Sequence, residues 1–149
     1  ARVLAPAQMT TTEDTHMNPY PVNTNLPASK SPLAWATVGN GILFTAQIPI
    51  GAEGKVVEGG IEPQIIQTLA NLKHTLESAG SRVSDLTQVV IYVTDREHLA
   101  TVNRVYADFV SEPFPNRAAI IVSGFAREEM LVEILAYAVV PSPTGSYPL

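Results

Sequence analysis

Two charged side chains in the last third of the chain stand where an apolar sheet would have to absorb them. Arg117 follows the loop Glu112-Pro113-Phe114-Pro115-Asn116 and precedes Ala118 to Val122, a short apolar run bounded by turn residues that predicts a buried strand. Glu133 lies within the apolar run Met130 to Val140, where the two-residue period of a strand puts Leu131, Glu133, Leu135 and Tyr137 on one face. A guanidinium keeps its proton and presents a planar fork of donors that fits a carboxylate or phosphate. A carboxylate on an apolar face needs a partner. If the two residues come from neighbouring strands, two readings stand side by side: a structural ion pair, or an arginine that clamps a substrate carboxylate beside a glutamate that handles water.

Other chemistry is poorly supported. His16, His74 and His98 lack ligand spacing, and His74 falls in the middle of a helical pattern, so no metal site is expected. Ser123-Gly124 lacks the frame of a nucleophile elbow, and no glycine-rich strand-to-helix loop is present to cradle phosphates. Gly59-Gly60 is explained by a turn, and Trp35 and Tyr137 by packing in a core or interface.

The elements that must position Arg117 and Glu133 follow from periodicity. Trp35 to Val38 and Ile42 to Ile48 read as a hairpin about Gly39-Asn40-Gly41, followed by a short edge strand at Val56-Val57. Ile61, Ile65, Leu69, Leu72, Leu76 and Ala79 recur at spacings of three and four, with Gly80 as the C-terminal cap, which predicts a helix over 61 to 79. Leu86 to Thr94 is β-branched and apolar on both faces, a central strand. Asp95 caps a second helix over about 96 to 110 with Leu99, Val102, Tyr106 and Phe109 as its stripe. The order β-β-(β)-α-β-α-β-β gives an α+β domain, one sheet with both helices on one face. The strands carry apolar groups on the other face too, so copies of the same chain are expected to cover it, with Glu133 in or near that interface.

Residues 1–32, rich in proline, threonine and asparagine, read as an extended arm, either a natural extension or partly vector sequence; 33–141 read as the domain and 142–149 as a surface tail. With 149 residues and 46% apolar content the chain suits a single core. A formal charge of -5 and a pI near 5.1, with nine scattered lysines and arginines, argue against nucleic-acid or membrane binding. The absence of cysteine excludes disulfides and thiolate chemistry and suits the cytoplasm; no apolar run reaches the roughly 20 residues of a membrane helix, and no charged segment precedes an apolar stretch at the start.

A longer set of residues resembles a known family. Val38-Gly39-Asn40, Leu43 to Pro49, Gln64, Asn71-Leu72-Lys73, Ala79-Gly80-Ser81, Val93-Thr94-Asp95, Val102 to Tyr106, Pro113 to Arg117 and Leu131 to Ile134 together resemble the Rid (YjgF-type) reactive-intermediate or imine deaminases over roughly residues 32 to 140. The resemblance implies a chorismate-mutase-like α+β fold, a homotrimer whose sheets form a barrel, and active clefts between subunits. It implies hydrolysis of enamines and imines such as 2-aminoacrylate to 2-oxo acids and ammonia, without metal or organic cofactor. Arg117 matches the arginine that binds the substrate carboxylate, Glu133 the acid that positions water or shuttles protons, Thr45 a pocket hydroxyl and Asn103 a cleft asparagine.

The chain departs from the family pattern in three places. Leu33 follows Pro32 where a tyrosine is common, Ala119 stands where many members have cysteine and contributes backbone groups, and Thr45-Ala46-Gln47 replaces Ser-Gly-Gln. These changes imply a reshaped pocket, suited to a larger or more apolar imino acid. The alternative within the family is a trimer that binds 2-oxo acids or regulates without turnover. An endoribonuclease, claimed for some relatives, is disfavoured by the acidic pI.

Overall fold

The computed structural model describes residues 18–141; the start of the arm with His16, and the tail 142–149, lie outside them. The elements are β1 (Tyr20–Pro21), β2 (Ala36–Gly39), β3 (Ile42–Gln47), α1 (Ile61–Ser78), β4 (Leu86–Val93), α2 (Leu99–Phe109), β5 (Asn116–Ile121) and β6 (Val132–Val139). The predicted hairpin is present: Asn40 and Gly41 take φ of 52° and 75°, the left-handed pair that a tight turn between twisted strands requires. Both predicted helices are present. The amides of Gly80 and Ser81 bond back to the carbonyls of Glu77 and Leu76 and close α1, with Gly80 at φ 80°. The Asp95 carboxylate accepts from the amide of Glu97, opening a 3-10 turn that leads into α2. Val56 makes only a single bridge, to Ile50.

The six strands form one mixed sheet in the order β1-β2-β3-β6-β4-β5. The last strand inserts between β3 and β4, antiparallel to both, while β5 runs parallel to β4 at the edge after the α2 crossover. The short β1 was not foreseen as a strand; its two residues pair with Thr37 and Val38. A two-residue strand leaves no periodic trace.

Both helices pack on one face, over Leu43, Val89, Ile91, Val93, Val132 and Ile134, all fully buried. Truncating one of these, Ile91→Ala for instance, costs about 2–5 kcal/mol through lost burial and the cavity left behind. The second face carries Phe44, Ile120, Leu135 and Tyr137, with Phe44 43% and Ile120 42% exposed and the Phe44 and Tyr137 rings meeting edge to face at 5.2 Å. Apolar side chains therefore lie on both faces, as the strand sequences require. Among the described residues no helix is long and apolar enough to cross a membrane.

Candidate active site

Arg117 pairs with Val89 and so projects to the helix-bearing side of the sheet, at its edge. There Arg117 Nη2 donates to Asn103 Oδ1, and the guanidinium carbon stands 4.8 Å from the centre of the Tyr106 ring. Asn103 and Tyr106 are three residues apart on α2, hence on one helical face, so one helix supplies both an acceptor and a π surface. No carboxylate lies within 4.0 Å of Arg117 among the described residues. With one donor committed, the fork keeps the capacity to take an anion. Burial raises the Tyr106 phenol above its ordinary pKa, partly opposed by Arg117, so the ring beneath the cation stays neutral. Ala119, two residues along β5 on the same face, adds only a methyl and its backbone.

Glu133 lies on the other face. It pairs with Tyr92, whereas the row of Arg117 runs through Val89 to Ala136, three residues along β6. Strand geometry places the two residues about 10 Å apart along the sheet and two spacings of about 4.8 Å across it. An odd offset also puts them on opposite faces. The condition for a direct pairing, neighbouring strands, is not met, because β4 lies between β5 and β6, and within one chain the two residues form no ion pair.

Each has its own surroundings. Glu133 borders a cavity of about 270 Å³ whose apolar walls include Leu33, Trp35, Ala46, Ile48, Phe125 and Met130. Burial pushes its carboxyl above the usual range, and burial is the sole cause. Gln64, buried on α1, holds the backbone leading into β6: its Oε1 accepts from the amide of Leu131 at 2.7 Å and its Nε2 donates to the carbonyl of Glu129 at 2.8 Å.

Thr45 belongs to neither group through its hydroxyl. It pairs with Ala136 on the helix-bearing face, donates to the carbonyl of Trp35 and accepts from Gln47 Nε2, which also donates to Thr75 Oγ1. It ties β3 to Trp35, the residue just before β2. His74, on α1, has Nε2 against the carbonyl of Thr24. Among the described residues no group of histidines and carboxylates is arranged to hold a metal.

The sequence reading missed Tyr106 as a platform because its place in the apolar stripe of α2 accounted for it; the three-residue spacing from Asn103 was the available signal. It also missed Arg127, whose Nη1 donates to the carbonyl of Gly54 at 2.8 Å and which borders the Glu133 cavity. Turn residues carry no periodicity to mark them.

Comparison with known proteins follows the same outline. The family model described as endoribonuclease L-PSP matches residues 24–140. A RutC family protein of Pyrococcus horikoshii is 36% identical over 116 residues, covering 76% of this chain and 92% of that one. The 2-iminobutanoate/2-iminopropanoate deaminase of Escherichia coli is 33% identical over 119 residues, covering 77% and 92%. The solved structure of a Rid family protein from Yersinia pestis superposes with a TM-score of 0.77 at 33% identity, covering 83% of this chain and all of that one.

Proposed function

The chain belongs to the Rid (YjgF-type) family described by that model, and on this premise we propose that it hydrolyses the C=N bond of 2-imino acids, the tautomers of reactive enamines, to 2-oxo acids and ammonia. The imine carbon is already electrophilic, so the protein has to hold the acid and orient one water, which is a matter of position and local charge. Arg117 takes the substrate carboxylate, with Asn103 and Tyr106 fixing the fork. Glu133 accepts a proton from water as its oxygen adds to the carbon and the π electrons move to nitrogen, and passes that proton to the nitrogen to give the carbinolamine; it then takes the hydroxyl proton as the C=O bond forms and delivers it to the nitrogen as the C–N bond breaks and ammonia leaves. A carboxyl whose pKa burial raises is better suited to give back a proton as well as take one.

A complete site takes Arg117 from one protomer and Glu133 from the next. Support comes from their separation within one chain and from the exposed apolar face, which a closed homotrimer covers. The observation that carries the reading is Arg117, a positioned cation with no carboxylate partner among the described residues. The test supplies imino acids in situ with an amino-acid oxidase and follows their loss. The wild-type protein accelerates hydrolysis, and Arg117→Ala lowers the rate about 100- to 1000-fold while the trimer persists. An unchanged rate in the variant refutes the assignment, and 2-oxo acid binding without turnover by the wild type favours a binding or regulatory trimer. The family description names an endoribonuclease, but a formal charge of -5 offers no basic track for RNA.

A further inference from the structure

We infer that the cavity beside Glu133 is the subsite for the substrate's side chain, and that it selects 2-imino acids with bulky apolar side chains, such as those derived from leucine or phenylalanine, over the three- and four-carbon acids. The inference rests on the deaminase reading for its chemistry but on the cavity alone for its selectivity. The volume, about 270 Å³, is roughly nine times the share of a water molecule in the liquid. A methyl or ethyl group leaves most of such a space without contacts, and each missing contact is affinity forgone.

The chemistry of the walls points the same way. Trp35 turns its one polar atom to the arm, Nε1 donating to the carbonyl of Pro27 at 2.9 Å, which leaves ring carbon to line the cavity. Ser29 Oγ accepts from the amide of Ser31, and Arg127 Nη1 donates to the carbonyl of Gly54, which keeps this cation and its other donors at the cavity's border rather than along its apolar wall. Glu133 is the lining carboxylate, and burial alone governs it. A ligand whose reacting carbon meets Glu133 therefore extends its side chain toward Leu33, Ala46, Phe125 and Met130, where nothing asks for a polar partner. Leu33 and Ala46 set the size: the leucine is apolar, and alanine on the open face of β3 projects no further than its methyl.

Two measurements decide the matter. In the first, kcat/KM is compared for imines generated from leucine, phenylalanine, alanine and 2-aminobutyrate; the two bulky substrates are expected to exceed the alanine-derived imine by at least about tenfold, the lower end of what methylenes achieve in an apolar pocket. Leu33→Tyr, at a position 52% exposed and so tolerant of change, is expected to lower the ratio of bulky to small substrates by about tenfold. In the second, 4-methyl-2-oxopentanoate and pyruvate serve as unreactive probes in calorimetry, with the branched acid expected to bind about tenfold more tightly. Turnover that favours the small imine, or pyruvate binding as tightly as the branched acid, overturns the subsite and leaves the deaminase reading in place. Tight binding of the branched acid without turnover of any imine upholds the subsite and removes the deaminase reading.

Discussion

The two parts of the proposed site are built on opposite logic. Around Arg117 the sheet edge is polar and half-open: the cation is placed by an asparagine and an aromatic ring from a single helix, and among the described residues no carboxylate meets its remaining donors. Around Glu133 the strand lies in the sheet interior and the surroundings are oily; the carboxyl has burial acting on it and nothing to offset that burial. One part is a positioned charge awaiting a counter-charge, the other a desolvated acid awaiting a reactant. Neither part alone offers both an anion clamp and a proton carrier, and within one chain they lie on different strands and on opposite faces of the sheet.

That contrast breaks most sharply at the glutamate. Glu133→Gln keeps the shape of the cavity and removes the proton carrier, so kcat is expected to fall about 100- to 10,000-fold with the binding of 2-oxo acids little changed. A variant with unimpaired kcat would leave Glu133 as a wall residue. At the other part, Tyr106→Leu removes the π surface and loosens the fork. KM is expected to rise about tenfold with kcat held nearer to wild type, because the ring is worth about 1–2 kcal/mol to a partly desolvated cation; Tyr106→Phe, which keeps the ring, restores the wild-type KM. If Phe and Leu behave alike, the phenol rather than the ring matters there.

The smallest expected effect is a shift in the pH profile. Burial disfavours the anion and raises the Glu133 pKa, so its basic form exists only above that raised value, and the rate is lost as the pH falls through it. The acid limb of kcat/KM should therefore lie above the ordinary glutamate value of 4.5 and disappear in Glu133→Gln. A limb at or below the ordinary value would mean that a cation reaches Glu133 in the free enzyme.

How far this contrast could be read from sequence depends on which interactions are local. The helices announce themselves, since Ile65, Leu69, Leu72 and Leu76 must share a face to be buried, and Gly80 supplies the left-handed turn that ends α1. The alternation through Val132, Glu133, Ile134, Leu135 fixes which side each residue takes relative to its neighbours. Strand order is not local. Nothing between Val132 and Val139 says that this last strand enters between β3 and β4 and leaves β5 on the far side of β4, and that insertion, with the register it sets, separates Arg117 from Glu133. Thr45 shows the same limit, because the hydroxyl expected in a pocket turns to the helix layer once the register with Ala136 is set.

Mixing the two damaged proteins tests the central claim most directly. Arg117→Ala and Glu133→Gln chains, each inactive alone, are co-refolded in equal amounts and assayed on the same imine. If clefts join Arg117 of one protomer to Glu133 of the next, random assembly leaves about a quarter of them with both residues intact, and about a quarter of the wild-type rate returns. A mixture no faster than its separate components would show that each site is confined to a single chain, and the account given for this fold would be wrong.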